Sequence, residues 1–462
     1  MTDCTAPTRP SRASTKARLA HFRFIGALSM GALMVWARTG HASGWDITTV
    51  VQALPGEAIG CVDLVLDEQD RPCVAACGEL LRYVAFGDAG WSVEILDSTM
   101  CITDVSMSVD RNGHPAIAWA DVTPAIQYAW SEASGWHREV VESGSISCFV
   151  ALGTDSAGCA HLCYYDVETS SLHYALRTSE GWSIEVVDDE GQVGWFCDLA
   201  LDVGGRPHVS YADYGNGDLK YAVKGPAGWE IQVVDADRET GWETSIRVDQ
   251  WGLPHIVYYD SGTRELRYAR KDGGEWIILP ITQGYSNGGF CTSLALDEAA
   301  VPHAAFVDRY FGTLHYGRDE DGVWQFHTVS TSAWDGALAL DGAGNPHLAF
   351  IGDGGTTVMH AFGEAGLNSG DGLELENPSL VSIAVFPNPC RTWTNVRFRA
   401  PSSSPVEILI HDLAGRCVER VAAWGPRGEV ALRWDSPGTP GIYMVSLRAG
   451  GASASAPVTV MR

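Results

Sequence analysis

The sequence predicts an all-β chain: a seven-bladed β-propeller closed by its own N-terminal strand, followed by a small Ig-like β-sandwich. Three observations predict it. A motif recurs seven times at steps of 43 to 48 residues, a tryptophan column recurs in step with it, and the first and last copies are complementary fragments of one unit.

The N-terminal element comes first. Residues 1–42 carry six basic residues (Arg9, Arg12, Lys16, Arg18, Arg23, Arg38) and one acid, Asp3. An apolar stretch from Phe24 to Ala37 follows, and Gly40-His41-Ala42 offers small residues where a signal peptidase reads. This pattern predicts a secretory signal cleaved near Ala42–Ser43, and hence an exported protein at the outer cell surface or beyond it. No apolar run reaches the roughly 20 residues of a membrane span. The formal net charge of −26 speaks against nucleic acid as a partner, because phosphate recognition needs a basic face.

The repeat occupies residues 43–363. Its clearest copy runs from Asp198-Leu-Ala-Leu-Asp202 through Pro207-His208-Val-Ser-Tyr211-Ala-Asp213 and Leu219-Lys-Tyr221 to Gly228-Trp229-Glu-Ile-Gln-Val-Val-Asp235. Aligned on one aspartate, the copies fall at Asp67, Asp110, Asp155, Asp202, Asp249, Asp297 and Asp341. The tryptophans are Trp45, Trp91, Trp136, Trp182, Trp229, Trp276 and Trp324. Each unit holds four short runs of strand-forming residues separated by Gly, Asp, Asn and Pro, which reads as one four-stranded blade. Gly44-Trp45-Asp-Ile-Thr-Thr-Val-Val is a fourth strand without its first three, and the last unit has three strands and no fourth. The N-terminal strand therefore closes the ring.

The repeated columns divide by role. The seven aspartates lie in D-x-x-G-like turns, where a carboxylate accepts backbone N–H groups and Gly supplies the left-handed dihedral. The tryptophans and Tyr83, Tyr128, Tyr174, Tyr221, Tyr268 and Tyr316 read as packing between blades. His161, His208, His255, His303 and His347 form a structural column, since blades about 10 Å apart cannot share one ion. A different pair of columns suggests a ligand. Strand 2 ends in aromatic-x-Asp, giving Asp121, Asp166, Asp213, Asp260 and Asp308. The connections from strand 4 to the next strand 1 present Trp195, Trp242, Phe290 and Trp334. In a meander both sets lie on one face of the disc. Rings beside carboxylates suit sugars, whose C–H faces stack while hydroxyls donate. The alternative is that the aromatics fill gaps between blades and the aspartates cap their own loops.

No G-x-S-x-G, HExxH or phosphate-binding loop occurs, so no catalytic residue is assigned. The units loosely resemble sialidase-type propeller repeats, without that family's S-x-D-x-G-x-x-W box. No metal ligand set and no cofactor is assigned either, though Asp188-Asp189-Glu190 and Asp319-Glu320-Asp321 are loops of the kind that bind calcium. Eleven cysteines follow the cleavage point. Cys61 with Cys77, across a hairpin, and Cys390 with Cys417 are pairs that an oxidising compartment would allow.

After a Gly-rich linker at 364–379 the charge reverses, with nine Arg against five acids in residues 377–462. Val385-Phe-Pro-Asn-Pro389, Asn395-Val-Arg-Phe398, Asp412-Leu-Ala-Gly415-Arg416, Trp434-Asp435 and Gly441-Ile-Tyr443 punctuate six or seven short strands at 380–462. In this order they resemble the type A C-terminal sorting domain of the type IX secretion system and the related FlgD-like Ig-type domain. The resemblance implies an Ig-like sandwich, a secretion machinery as partner, and passage across an outer membrane. The tail Pro457-Val-Thr-Val-Met-Arg462 lacks the usual lysine. The whole sequence therefore reads as an exported, non-catalytic binding propeller for extracellular glycan. A carbohydrate-active enzyme of sialidase-like or lyase type and a protein-docking scaffold are the alternatives.

Overall fold

The computed structural model describes residues 44–364, apart from 99–100, 122–123, 145–146, 238, 283–287, 310 and 321, together with chiefly the strands between 382 and 460. Among the described residues every regular element is a β-strand. Seven four-stranded antiparallel sheets follow one another in the chain. Numbered from the first complete sheet, blades 1 to 6 span 59–97, 101–143, 147–188, 193–235, 242–280 and 288–330. Blade 7 combines Gly336–Leu340, Pro346–Gly352 and Thr357–Gly363 with Trp45–Gln52. Within each blade, strand 1 is the inner strand and strand 4 the outer one. Each inner strand touches the inner strands of both neighbouring blades, including blade 7 against blade 1, so the ring is closed.

The turn between strands 1 and 2 is the same device seven times. In each, the repeat aspartate accepts the N–H groups two and four residues on, as Asp202 does from Gly204 and Arg206 at 2.9 Å each. Asp67, Asp110, Asp155, Asp249, Asp297 and Asp341 do the same. The residue three after the aspartate takes a positive φ in every copy. Five are glycines, and Asp70 and Ala300 accept the strain at 58° and 61°.

Between blades, each strand-3 tyrosine meets the strand-4 tryptophan of the next blade edge to face. The centroids of Tyr83 and Trp136 are 5.0 Å apart, those of Tyr174 and Trp229 5.2 Å, and those of Tyr268 and Trp324 5.6 Å. The series continues through the closure, where Tyr316 meets Trp45 at 5.4 Å and His360 of blade 7 meets Trp91 of blade 1 at 5.3 Å. The same tyrosines hold the histidine column. The Tyr174, Tyr221, Tyr268 and Tyr316 hydroxyls lie 2.5–2.6 Å from Nδ1 of His161, His208, His255 and His303.

A second clasp, absent from the sequence reading, sits on the inner strands. Four residues before the repeat aspartate, a short polar side chain accepts an N–H from the next inner strand. Asp63 takes Met107, Ser106 takes Leu152, Asp198 takes Ile246, Ser245 takes Leu294 and Ser293 takes Leu338, at 2.6–3.2 Å. Inner strands of different blades are too far apart to pair by backbone alone, so these side chains bridge them.

Cys61 and Cys77, opposite one another in the first hairpin of blade 1, are disulfide-bonded. Cys390 lies outside the described residues, and the suggested pairing with Cys417 falls there. Beyond the propeller, seven strands among the described residues form two sheets, one of three strands and one of four. Trp434 of the first packs on Tyr443 of the second at 5.6 Å, which brings two of the quoted motifs together.

Candidate functional site

The inner strands converge on an axial cavity of about 570 Å³. What fills its rim is decided by one position in the repeat, six residues before the aspartate: Cys61, Asp104, Phe149, Phe196, Glu243, Cys291 and Asp335. Strand 1 bulges here, its register against strand 2 shifting between Trp195 and Asp198, between Trp242 and Ser245, and at the matching places in other blades. Phe149, Phe196, Glu243 and Cys291 hold positive φ values of 51–56° at the bulge. Such strain in non-glycine residues needs support from the surrounding structure, and it concentrates where a side chain is being aimed.

One side of this rim is acidic. Asp104, Glu243 and Asp335 line the cavity with Asp63 and Asp198 below them, and Arg247 and Arg309 supply positive charge. Burial pushes the Glu243 carboxyl up to about 7, with Asp335 adding to the shift and Arg309 opposing it. Burial also raises Asp335, and it raises Asp104 well above the usual carboxylate range with help from Asp335. Asp63 is pushed to about 7 by burial, against the two N–H groups it accepts. At neutral pH this rim therefore carries carboxylic acids that can donate as well as accept. Cys291 lies among them, 3.7 Å from the Arg309 guanidinium, its thiol raised by burial and then by Asp335 and Glu243.

The aromatics expected in the 4–1 connections are placed differently from that reading. Trp195 and Trp242 lie within inner strands, because pairing resumes beyond the bulge, and Phe290 is likewise in a strand. Trp334 alone precedes its strand. Trp195 stacks on Tyr214 at 4.6 Å and 18°, and also touches Phe149, Tyr165 and Phe196. Trp242 joins through Phe196 at 5.2 Å and Tyr214 at 5.9 Å. These rings form one cluster over blades 3 to 5, with Tyr214 half exposed. The side chain of Phe290 lies outside the described residues.

Trp334 is different: it is 60% exposed, and with Phe311, 61% exposed, and Arg309 it lines a groove of about 290 Å³. Arg309 and Trp334 line the axial cavity too, so groove and cavity meet at these two residues.

The four strand-2 aspartates whose side chains are described are buried, and the geometry gives them local work. Asp166 accepts from Thr169, Asp213 from Asn216, Asp260 from Gly262 and Thr263, and Asp308 from Phe311. Each ties down its own 2–3 connection. Asp213 and Asp260 also pair with Lys220 and Arg267. The side chain of Asp121 lies outside the described residues. In the first acidic loop considered for calcium, Asp188 is committed to Tyr211 and Lys220; in the second, Asp321 is not described.

Sequence reasoning missed Asp104, Glu243, Asp335, Arg309, Phe311 and Tyr214. A signal for three of them was present. The position six before the repeat aspartate changes chemistry from blade to blade while the columns around it repeat.

No family model and no curated protein matches this sequence. Among solved structures, the chain is similar to a polysaccharide lyase, the PL25 ulvan lyase bound to -[GlcA(1-4)Rha3S]-, with a TM-score of 0.50 at 14% identity over 68% of this chain and 95% of that one. It is also similar to the SapL1 lectin in complex with alpha methyl fucoside (TM-score 0.43, 11% identity, 61% and 98% coverage). A third is the six-bladed fucose-recognising lectin of Aleuria aurantia (0.43, 13%, 61% and 97%). At these identities the likeness concerns the fold: this chain is a β-propeller.

Proposed function

We propose that this protein is an exported glycan-binding propeller whose site is the face formed by the 2–3 and 4–1 connections. The observation that carries it is the groove lined by Trp334 and Phe311, two rings about three-fifths exposed, together with Arg309 and an adjoining acid-lined cavity. Large rings left in water along a groove offer a stacking platform for a pyranose. The guanidinium and the rim carboxyls offer directional partners for hydroxyl or acidic substituents. The polysaccharide lyase of similar fold, which was solved bound to a uronic acid-containing glycan, agrees with the reading. The N-terminal leader and the C-terminal Ig-like, sorting-type domain complete it as the means of export and surface display.

The test is a glycan-array screen of the chain from residue 43, with and without calcium. A hit weakened by Trp334→Ala and Phe311→Ala supports the proposal; a blank on folded protein moves the reading to protein docking. One observation favours a second reading, a glycan-active enzyme. Glu243, protonated near neutrality beside Asp335, has the character of a general acid. Release of shorter chains from a bound polysaccharide, lost in Glu243→Gln with binding kept, would establish it. Undiminished release by that variant would remove Glu243 from the chemistry.

A further inference from the structure

Beneath the 2–3 connections, each of two blade junctions holds a cation between two carboxylates. At the junction of blades 3 and 4, Lys220 Nζ lies 3.0 Å from Asp213 and 3.1 Å from Asp188 of the preceding blade, whose carboxylate also accepts the Tyr211 hydroxyl at 2.8 Å. At the junction of blades 4 and 5, Arg267 lies 2.7 Å from Asp260 and 2.8 Å from Asp235, which accepts Tyr258. The arrangement is a socket: a strand-2 aspartate, the acid ending the previous blade's strand 4, a tyrosine orienting that acid, and a strand-3 cation.

The junction of blades 2 and 3 keeps the two acids and the tyrosine of the socket and carries a histidine where its neighbours have lysine and arginine. Asp166 and Glu142 occupy the acid positions, and Tyr164 donates to Glu142 at 2.7 Å. The strand-3 position is His173, one residue before Tyr174, as Lys220 is one before Tyr221. One ligand atom from each of Glu142, Asp166 and His173 lies within 4.8 Å of the other two. His173 is 8% exposed; its Nε2 takes Ser171 Oγ at 3.0 Å, and its Nδ1 is buried with no hydrogen-bond partner. Hydroxyls and the Tyr164 ring, 5.5 Å away, fix the imidazole much as outer groups orient a metal-bound histidine.

We propose that this junction is a metal site, in which a divalent ion held by Glu142, Asp166 and His173 replaces the ammonium or guanidinium of the neighbouring sockets and clasps blade 2 to blade 3. One imidazole with two carboxylates is the donor set of zinc and its neighbours in the first transition row. Calcium, which takes six to eight oxygens, is a poor match. The buried Nδ1 of His173, without a hydrogen-bond partner, leaves one imidazole nitrogen for the ion beside the two carboxylates.

The experiment uses the full chain from residue 43, stripped with a chelator and titrated with zinc chloride by calorimetry, with melting curves at each endpoint. The expected result is that His173→Lys, which installs the neighbouring blade's ammonium, binds one equivalent less than wild type. It should melt close to zinc-loaded wild type and ignore added zinc. His173→Gln, whose amide matches the native Gln127 one blade earlier, should lose the same equivalent while staying folded. Equal stoichiometry in wild type and both variants overturns the proposal. So does a stripped wild type whose melting temperature does not respond to zinc.

Discussion

Trp334 and Phe311 each keep about three-fifths of their surface in water, so neither holds the fold together. Replacing either by alanine should weaken binding of an array-positive glycan about tenfold, in line with ~1.4 kcal/mol from a lost stacking partner. The melting temperature should move by no more than a degree or two, and isothermal titration beside a melt separates the effects. A variant that binds as wild type does would place the site elsewhere. Asp213 is the opposite kind of residue. It is fully buried, caps its loop through Asn216 and holds Lys220. Asp213→Asn should cost about 3 kcal/mol in denaturant unfolding, because Lys220 loses one of its two carboxylates inside the protein. At this scale the sequence was half legible. Spacing placed Asp213 at the end of strand 2, but spacing does not say whether a carboxylate faces solvent or its own turn. Exposure of Trp334 against the partial burial of Trp195 depends on whether a neighbour such as Tyr214 covers the ring, and that comes from another strand.

The blade is the unit that sequence describes best. Four strands, their turns and their order follow from local chemistry: an aspartate that accepts two N–H groups, a residue with positive φ, and alternation of buried side chains between them. The bulge in strand 1 was not legible. It depends on pairing that resumes after an extra residue, and its left-handed residues are Phe, Glu and Cys rather than Gly. Nor was the side-chain clasp between inner strands, since Asp63, Ser106 and Asp198 look like ordinary strand residues until neighbouring blades are placed. The outer strand of blade 7 was legible, because its absence at one end matched its presence at the other. Trp45 is buried against Tyr316 and packs in the core shared by blades 6 and 7. Trp45→Ala should therefore destabilise the ring by about 3–5 kcal/mol. Heat or urea unfolding of this variant should fall well below that of Trp251→Ala, which is 67% exposed and serves as the control. Equal losses would mean that Trp45 does not hold the closure.

For the whole molecule, two sets of buried titratable groups act in opposite directions with pH. Burial lowers His208, His303 and His315 to about 4 and His360 to about 3, while imidazole in an unfolded chain titrates near 6.5. Between pH 6.5 and 4 the unfolded chain binds more protons at these sites, so they cost stability as pH falls. Asp63 and Glu243 have carboxyls raised to about 7, so from pH 7 down to about 4 the folded state holds their extra protons and gains stability. Glu243→Gln removes part of the second effect. It should melt a few degrees above wild type at pH 8 and converge with it below about pH 4.5. A variant no more stable than wild type at pH 8 would show that Glu243 is not strained by burial. A repeat protein also tells its reader where to look: columns that recur build the disc, while the column that breaks the seven-fold rule brings Asp104, Glu243 and Asp335 to the rim. Closure carries one more consequence, for the order of events in time. Thr49 meets Met359 across 310 positions of chain, so the first strand made must wait for the last blade before it has a partner. Until then the nascent disc is an open arc with a bare strand edge at blade 7 and an unpacked face at blade 1. Adjacent blades can assemble as they emerge, but locking the circle is a single late step, and any interruption before residue 357 leaves an arc with no partner for its latch.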